Sequence, residues 1–314
     1  MPSNLGRAIL KTLAYCDIFD FPVTEEEIWK RLIRHKDTKL QRVKAAKGQS
    51  FKEVLLSLER VKEKGNFYFL KGREYIVDIR KERENWSREK LKIAKEIASL
   101  LKLIPSIKLV GITGALAVEN SDKLDDIDLF IVTSPKLIWI TRFFTTVLVE
   151  MTGKRRHPGQ ADVSDKICLN MFVDEEHLSI DKKERDLFSA HEVVQMKPIW
   201  DRDNTYKKFL DANIWVRKFL PNAFVNLEHI TKNIKLFNKT QSRPKNKKKF
   251  LVHSSWFIVR LLEESSKLFQ LLYMRKRRTK EVIRDGVIRF HPQDARKWVM
   301  ERYHQNLLLQ WRPL

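Results

Sequence analysis

The strongest constraint on this chain is the stretch 110–132, where a small-residue turn precedes an acidic pair and an apolar run. The turn spans 113–115 (Thr-Gly-Ala), and Asp126 and Asp128 lead into the run 129–132. Side chains two residues apart on a strand point to the same face, so the two carboxylates are expected to project together. Because like charges this close repel each other, the pattern favours a divalent metal ion between them.

The turn adds a second chemical feature to this stretch. A glycine lets backbone amides approach an anion such as a phosphate, and Thr113, Gly114 and Ala115 are therefore predicted to bind phosphates. An ordinary strand-to-helix turn is the alternative for these three residues, as a solvated acidic loop is for Asp126 and Asp128. A metal site beside a phosphate site indicates nucleotide chemistry.

These residues resemble the signature of the nucleotidyltransferase superfamily related to DNA polymerase beta. That signature combines a hydrophobic residue, a glycine turn, a spacer and an Asp-hydrophobic-Asp pair on a strand. The resemblance covers about 87–224. It implies transfer of a nucleotidyl group from an NTP to a hydroxyl, dependent on Mg²⁺ or Mn²⁺. Asp126 and Asp128 would be the catalytic metal ligands, and Gly114 with its neighbours would hold the phosphates.

Two departures from the family pattern favour an alternative function. Ala115 supplies no hydroxyl where the family usually has serine or glycine. The family's third carboxylate is expected on a later strand, predicted at 166–173, whose polar residue is Asn170. An amide can ligate a metal but cannot act as a general base. The flanking carboxylates are candidate substitutes: Asp162, Asp165 and Asp174. The alternative is a non-catalytic nucleic-acid-binding or regulatory protein with a degenerate transferase core.

The N-terminal residues 1–83 resemble a winged helix. Their pattern predicts helices at 8–15, 24–33 and 50–65, the last two opened by capping boxes, and a hairpin over 66–79 with its turn at 71–73. A winged helix would bind nucleic acid through its third helix. Glutamates interleaved with basic residues on that helix oppose such binding, so a module that packs on its own core or on a partner is the equal alternative.

The remaining pattern completes a predicted α+β fold. We expect a mixed-sheet nucleotidyltransferase core with its following helices over 84–224, between the winged helix (1–83) and a basic C-terminal helical domain (225–314). The predicted elements are a helix at 84–104, a strand at 107–110, a short helix after Gly114 and helices at 135–151, from 181, at 205–220, 250–275 and 292–310.

Charge and cysteine usage narrow the expected partners. The chain carries 62 basic and 40 acidic residues, a net charge of +22, which favours polyanions such as an NTP or nucleic acid. Basic clusters at 243–249 and 275–280 are candidate nucleic-acid surfaces; a membrane-surface helix or a solvated linker would explain them as well. Two cysteines without disulfide spacing, no signal core and no transmembrane span predict a cytoplasmic protein.

Three further groups of residues each have two possible roles. The basic loop 154–156 either contacts an anion or is simply solvated. His191 and Glu192 begin an HExxQ sequence, which excludes the zinc motif HExxH and favours a structural role for the histidine. Asn213 and Trp215 would line an acceptor pocket or face the core of a helical layer.

Overall fold

The structure, a computed structural model, describes residues 2–35, 51–224, 253–275, 281–290 and 295–311. The basic cluster at 243–249 and most of the cluster at 275–280 lie outside these residues. Within them, no helix is long and apolar enough to cross a membrane.

A six-stranded mixed sheet forms the centre of the chain, which confirms an α+β fold. Its strands are β3 (Ile107–Ile112), β4 (Ile127–Thr133), β5 (Ile167–Asp174), β6 (Lys197–Asp201), β7 (Val282–Arg284) and β8 (Val287–Arg289). Their order is β6-β3-β4-β5-β8-β7, and the pair β4–β5 is parallel while the other pairs are antiparallel. Three of these strands were predicted; β6 and the hairpin β7–β8, which lies in the region predicted as helical, were not.

Strand β4 is central because its side chains are apolar on both faces. Ile127, Leu129 and Ile131 pack into one hydrophobic cluster, and Phe130 and Val132 pack into another on the opposite face. Asp128 shares its face with Phe130, because side chains alternate along a strand. This face is covered by α7 (Leu187–Gln195), α8 (Thr205–Ala212) and the first helix of the chain, so the acidic pair enters the sheet beneath a helical layer.

The N-terminal part contains three helices followed by a hairpin, in the predicted order. They are α1 (Asn4–Cys16), α2 (Glu25–Lys30), α3 (Phe51–Ser57), β1 (Val61–Lys64) and β2 (Phe67–Leu70). The capping box of Thr24 and Glu27 is confirmed, although α2 ends before Ile33. The third helix was predicted too long, because 61–64 is a strand whose hairpin turn uses Gly65 at φ +65°.

The prediction of a strand at 74–79 was wrong, because these residues begin the long helix α4 (Ile76–Leu101). Their β-branched residues favour a strand locally, but Ile76, Val77 and Arg80 bury at helical spacing. The Arg80 guanidinium lies 2.8 Å from a carboxylate oxygen of Glu27 and 2.6 Å from the carbonyl oxygen of Pro22. Helix α4 therefore joins the N-terminal part to the sheet and runs through the predicted boundary at residue 83.

The other helices surround the sheet. They are α5 (Gly114–Ala117), α6 (Ile138–Met151), α9 (His253–Arg275) and α10 (Ala295–Trp311). The helix predicted from 181 begins as α7 at Leu187 and is capped by Asp186, whereas Asp181 caps a short 3-10 turn. The predicted helix 205–220 continues after α8 as a 3-10 helix at Ile214–Lys218.

Candidate metal and nucleotide site

The two predicted carboxylates lie together at the start of β4, and a thiol from the neighbouring strand β5 joins them. Ligand atoms of Asp126, Asp128 and Cys168 all lie within 4.8 Å of one another. Asp128 and Cys168 are paired across the parallel strands β4 and β5, so their side chains share one face. Among the described residues, this is the only group of three or more acidic, histidine or cysteine side chains that could hold one ion.

Burial makes this cluster electrostatically costly. Burial first, and the neighbouring charge of Asp126 second, raise the pKa of Asp128 to about 7. Burial and both carboxylates also raise the pKa of the Cys168 thiol far above its usual range, so this thiol stays protonated and donates a hydrogen bond to Asp128. Asp126 is instead paired with Arg156, whose guanidinium nitrogen lies 2.6 Å from Oδ2.

The glycine turn lies directly against the acidic pair. The Thr113 amide donates a hydrogen bond of 3.1 Å to the carbonyl oxygen of Asp128. Gly114 follows at φ +67°, and a Cβ on it would lie 3.1 Å from Asp128 Oδ2. Glycine adopts this backbone conformation without strain, and any larger residue would also crowd the Asp128 carboxylate. The structure thus places the predicted phosphate-binding residues, including Ala115 at the start of α5, beside the predicted metal ligands.

A buried lysine fixes the loop that leads into β4. Lys90 on α4 is 1% exposed. Its ammonium group donates to the carbonyl oxygens of Lys123 at 3.0 Å and Asp125 at 2.6 Å, and to Asp165 Oδ1 at 2.8 Å. These bonds hold the residue before Asp126 in place. Asp165 is engaged with this lysine, so it supplies no third carboxylate to the cluster.

The two other candidates for a third carboxylate, Asp162 and Asp174, also lie away from the cluster. Asp174, at the far end of β5, contacts His177 Nδ1 at 2.7 Å. Asp162 accepts a 3.0 Å hydrogen bond from the Ser164 amide in an exposed turn. Asn170 is buried and lines the same cavity as Asp128. A bulge in β5 separates it from Cys168, because Asp128 pairs with residue 168 while Phe130 pairs with residue 171.

A cavity of about 600 Å³ opens beside the cluster, between the sheet, α1, α7 and α10. Its polar wall includes Asp128, Asn170, Glu192 and the turn at 113–115, and its apolar wall includes Tyr15, Phe188 and Phe209. A mostly apolar cavity with a few convergent polar groups is the usual form of a small-molecule site.

Glu192 is the residue in this cavity that sequence reasoning missed. Burial raises the pKa of its carboxyl to about 7, and its charge in turn raises the pKa of Asp128. The preceding His191 stacks on Tyr15 with 3.9 Å between ring centroids, and burial lowers its pKa to about 3, so it is neutral. The HExxQ sequence excluded a zinc motif but did not indicate that its first two residues have different environments. Glu192 faces the cavity, whereas His191 packs inside the fold.

The remaining candidates have structural partners. In the basic loop, Arg156 pairs with Asp126, whereas Arg155 pairs with Glu150 at 2.7 Å. The Asn213 amide donates 2.8 Å bonds to two carbonyl oxygens and accepts a 2.9 Å bond from the Trp215 indole. Neither Asn213 nor Trp215 is among the cavity-lining residues.

Comparison with protein-family models, with curated proteins and with solved structures finds no match to this chain. The ligand atoms of Asp126, Asp128 and Cys168 indicate which kind of ion this cluster would hold. Two carboxylates on one face suit Mg²⁺ or Mn²⁺, which prefer oxygen, whereas a thiol suits softer metals. The two carboxylates therefore fit an oxygen-bound ion on Asp126 and Asp128, and Cys168 is the softer third donor of the group.

Proposed function

We propose that this protein is a nucleotidyltransferase that moves a nucleotidyl group from an NTP to a hydroxyl acceptor and releases pyrophosphate. One observation carries the proposal: Asp128, clustered with Asp126, lies against the Gly114 turn, where an added Cβ would stand 3.1 Å from Asp128 Oδ2. A carboxylate pair beside the amides of such a turn would act on the same triphosphate.

Each part of the cavity has a role in this proposal. Asp126 and Asp128 would hold Mg²⁺ or Mn²⁺, which supplies charge neutralisation to the triphosphate. Backbone amides at Gly114 and Ala115 would bind phosphate oxygens without help from a side-chain hydroxyl. The apolar wall around Tyr15 is suited to the base, because an aromatic ring offers a flat contact surface.

Glu192 would act on the acceptor. As the acceptor oxygen bonds to the α-phosphorus, the P–O bond to the leaving pyrophosphate breaks and the hydroxyl proton must move to a base. Glu192 lines the cavity and its carboxyl has a pKa of about 7, close to the pH at which a general base works best. This role does not require a third carboxylate from β5, and among the described residues no further carboxylate joins Asp126 and Asp128 in the cluster.

The test measures binding and turnover separately. Calorimetry with a non-hydrolysable NTP and Mg²⁺ should detect binding to wild type and its loss in Asp126→Asn. Pyrophosphate release should be assayed with each NTP and with RNA, protein and small-molecule hydroxyl acceptors. Asp211→Asn removes an exposed carboxylate on α8, outside the cavity, and is the matched control. Equal binding and equal release by Asp126→Asn and wild type would exclude the proposal.

A second function has its own supporting observation. Arg156 lies 2.6 Å from Asp126 Oδ2 and neutralises one of the two proposed metal ligands. A degenerate core with such an internal ion pair would serve a non-catalytic nucleic-acid-binding or regulatory protein. Salt-dependent binding of DNA or RNA, without binding of Mg²⁺ and NTP, would support this function instead.

A further inference from the structure

Helix α9 turns its polar side chains toward the protein. Glu263 and Gln270 are only 7% and 5% exposed. The Glu263 carboxylate accepts 2.8 Å hydrogen bonds from the amides of Trp139 and Ile140, at the start of α6. The Gln270 amide and the Ser266 hydroxyl both donate to the Trp139 carbonyl oxygen, at 2.7 and 3.1 Å. These polar contacts hold α9 to α6, together with the apolar residues Leu271 and Met274, which pack into the hydrophobic cluster of the sheet.

The opposite side of α9 is apolar and faces solvent. Its large apolar residues are between 49% and 67% exposed: Ile258, Leu261, Leu262, Leu268, Phe269 and Leu272. They recur at helical spacing, so they form one continuous stripe. An ordinary surface helix has the reverse arrangement, with its apolar stripe against the core.

Helix α6 extends this stripe into a wider surface. Phe144 and Met151 on α6 are 49% and 79% exposed, and the Phe143 ring lies 6.4 Å from the Phe269 ring of α9. We call these outward sides of the two helices the α6–α9 apolar face. Single exposed leucines are normal, but a contiguous apolar surface over two helices indicates a covering partner.

Basic charge accompanies this face. Arg275 is exposed at the end of α9, and the sequence continues as Lys276-Arg277-Arg278. The exposed carboxylate of Glu264 has Lys267 at 3.8 Å. Apolar side chains flanked by lysine and arginine are the composition that binds the interface of an anionic bilayer.

Charge also decides between the two simplest partners. A second copy of this chain would bring another net charge of +22 against the same basic surface, and this repulsion opposes pairing. An anionic phospholipid surface attracts the same charges while its acyl region accepts leucine and phenylalanine. We propose that the α6–α9 apolar face docks the protein peripherally on an anionic phospholipid membrane.

The test is sedimentation with vesicles of phosphatidylcholine and phosphatidylglycerol in equal parts, compared with pure phosphatidylcholine. Wild type should sediment with the mixed vesicles, more weakly at high salt. The double variant Leu268→Glu/Leu272→Glu should reduce partitioning by about tenfold or more, because both side chains would enter the acyl region. Leu56→Glu, at an equally exposed leucine on α3, is the matched control and should bind like wild type.

Light scattering and thermal melting complete the experiment. Melting temperatures close to wild type would show that the variants are folded, as expected for exposed positions. The proposal is overturned if wild type does not bind mixed vesicles, or if the double variant binds as well as wild type. A wild-type dimer that becomes monomeric in the double variant, without vesicle binding, would assign the face to a second copy and also overturn it.

Discussion

Replacing Asp128 by asparagine probes the electrostatics at the centre of the candidate site. Burial and the charge of Asp126 raise the pKa of Asp128 to about 7. An asparagine keeps the shape of the side chain and still accepts a hydrogen bond from the Cys168 thiol. Because it removes a partly buried negative charge beside Asp126, metal-free Asp128→Asn protein should be more stable than wild type above neutral pH.

The magnitude follows from proton linkage. The carboxyl of Asp128 has an ordinary pKa of 3.8 in the unfolded chain and about 7 in the fold. The folded state therefore binds more protons between these values, and its stability falls as pH rises through this window and levels off above it. At about 1.36 kcal/mol per pKa unit, the stability advantage of Asp128→Asn should grow by about 2 kcal/mol between about pH 5.5 and pH 8.

Guanidinium unfolding in EDTA across this pH range measures the difference in free energy of unfolding between Asp128→Asn and wild type. The series is then repeated with Mg²⁺. An ion bound to the folded state would stabilise wild type by mass action, whereas Asp128→Asn has lost one ligand. Mg²⁺ should therefore reduce or reverse the stability advantage of the variant. Asp211→Asn should respond to Mg²⁺ as wild type does. A gap that does not change with pH, or equal stabilisation of both proteins by Mg²⁺, would refute the reasoning.

Three further substitutions test neighbouring parts of the site. Gly114→Ala forces a Cβ to 3.1 Å from Asp128 Oδ2 at φ +67° and should lower the free energy of unfolding by about 1–2 kcal/mol; wild-type stability in denaturant titrations would contradict the tight approach. Lys90→Met removes three partly buried hydrogen bonds and should cost about 2–3 kcal/mol and speed proteolysis in the loop before β4; unchanged cleavage there would show that Lys90 does not hold this loop. Glu192→Gln should lower pyrophosphate release at least about tenfold while NTP binding by calorimetry is unchanged; parallel losses of both would indicate a binding role instead.

Local patterns predicted the strands that carry the site. Strand β4 was readable because apolar residues on both faces follow an acidic pair, and β3 and β5 show similar runs. The capping box at Thr24 was readable because a threonine and a glutamate three residues apart satisfy two orphan amides. In each case the sequence pattern and the structural element that it predicts occupy the same few residues.

Distant contacts account for the predictions that failed or were missing. Residues 74–79 resemble a strand locally, yet Ile76 and Val77 are buried and Arg80 reaches Glu27 in the N-terminal part. Strand β8 has three residues and forms because it pairs with β5. The proximity of Cys168 to the acidic pair depends on strand register, which one sequence does not display.

The distribution of charge suggests how the cavity selects a ligand. The chain carries a net +22, yet Asp126, Asp128 and Glu192 are gathered at or beside one cavity. In the proposed site, a bare polyanion would be attracted to the surface but repelled by these carboxylates, whereas an anion that brings a divalent cation would be accepted. Arg156 would compete with that cation for Asp126, since its guanidinium lies 2.6 Å away. We infer that Arg156→Gln would strengthen Mg²⁺ binding, and calorimetry showing weaker binding would reject this competition.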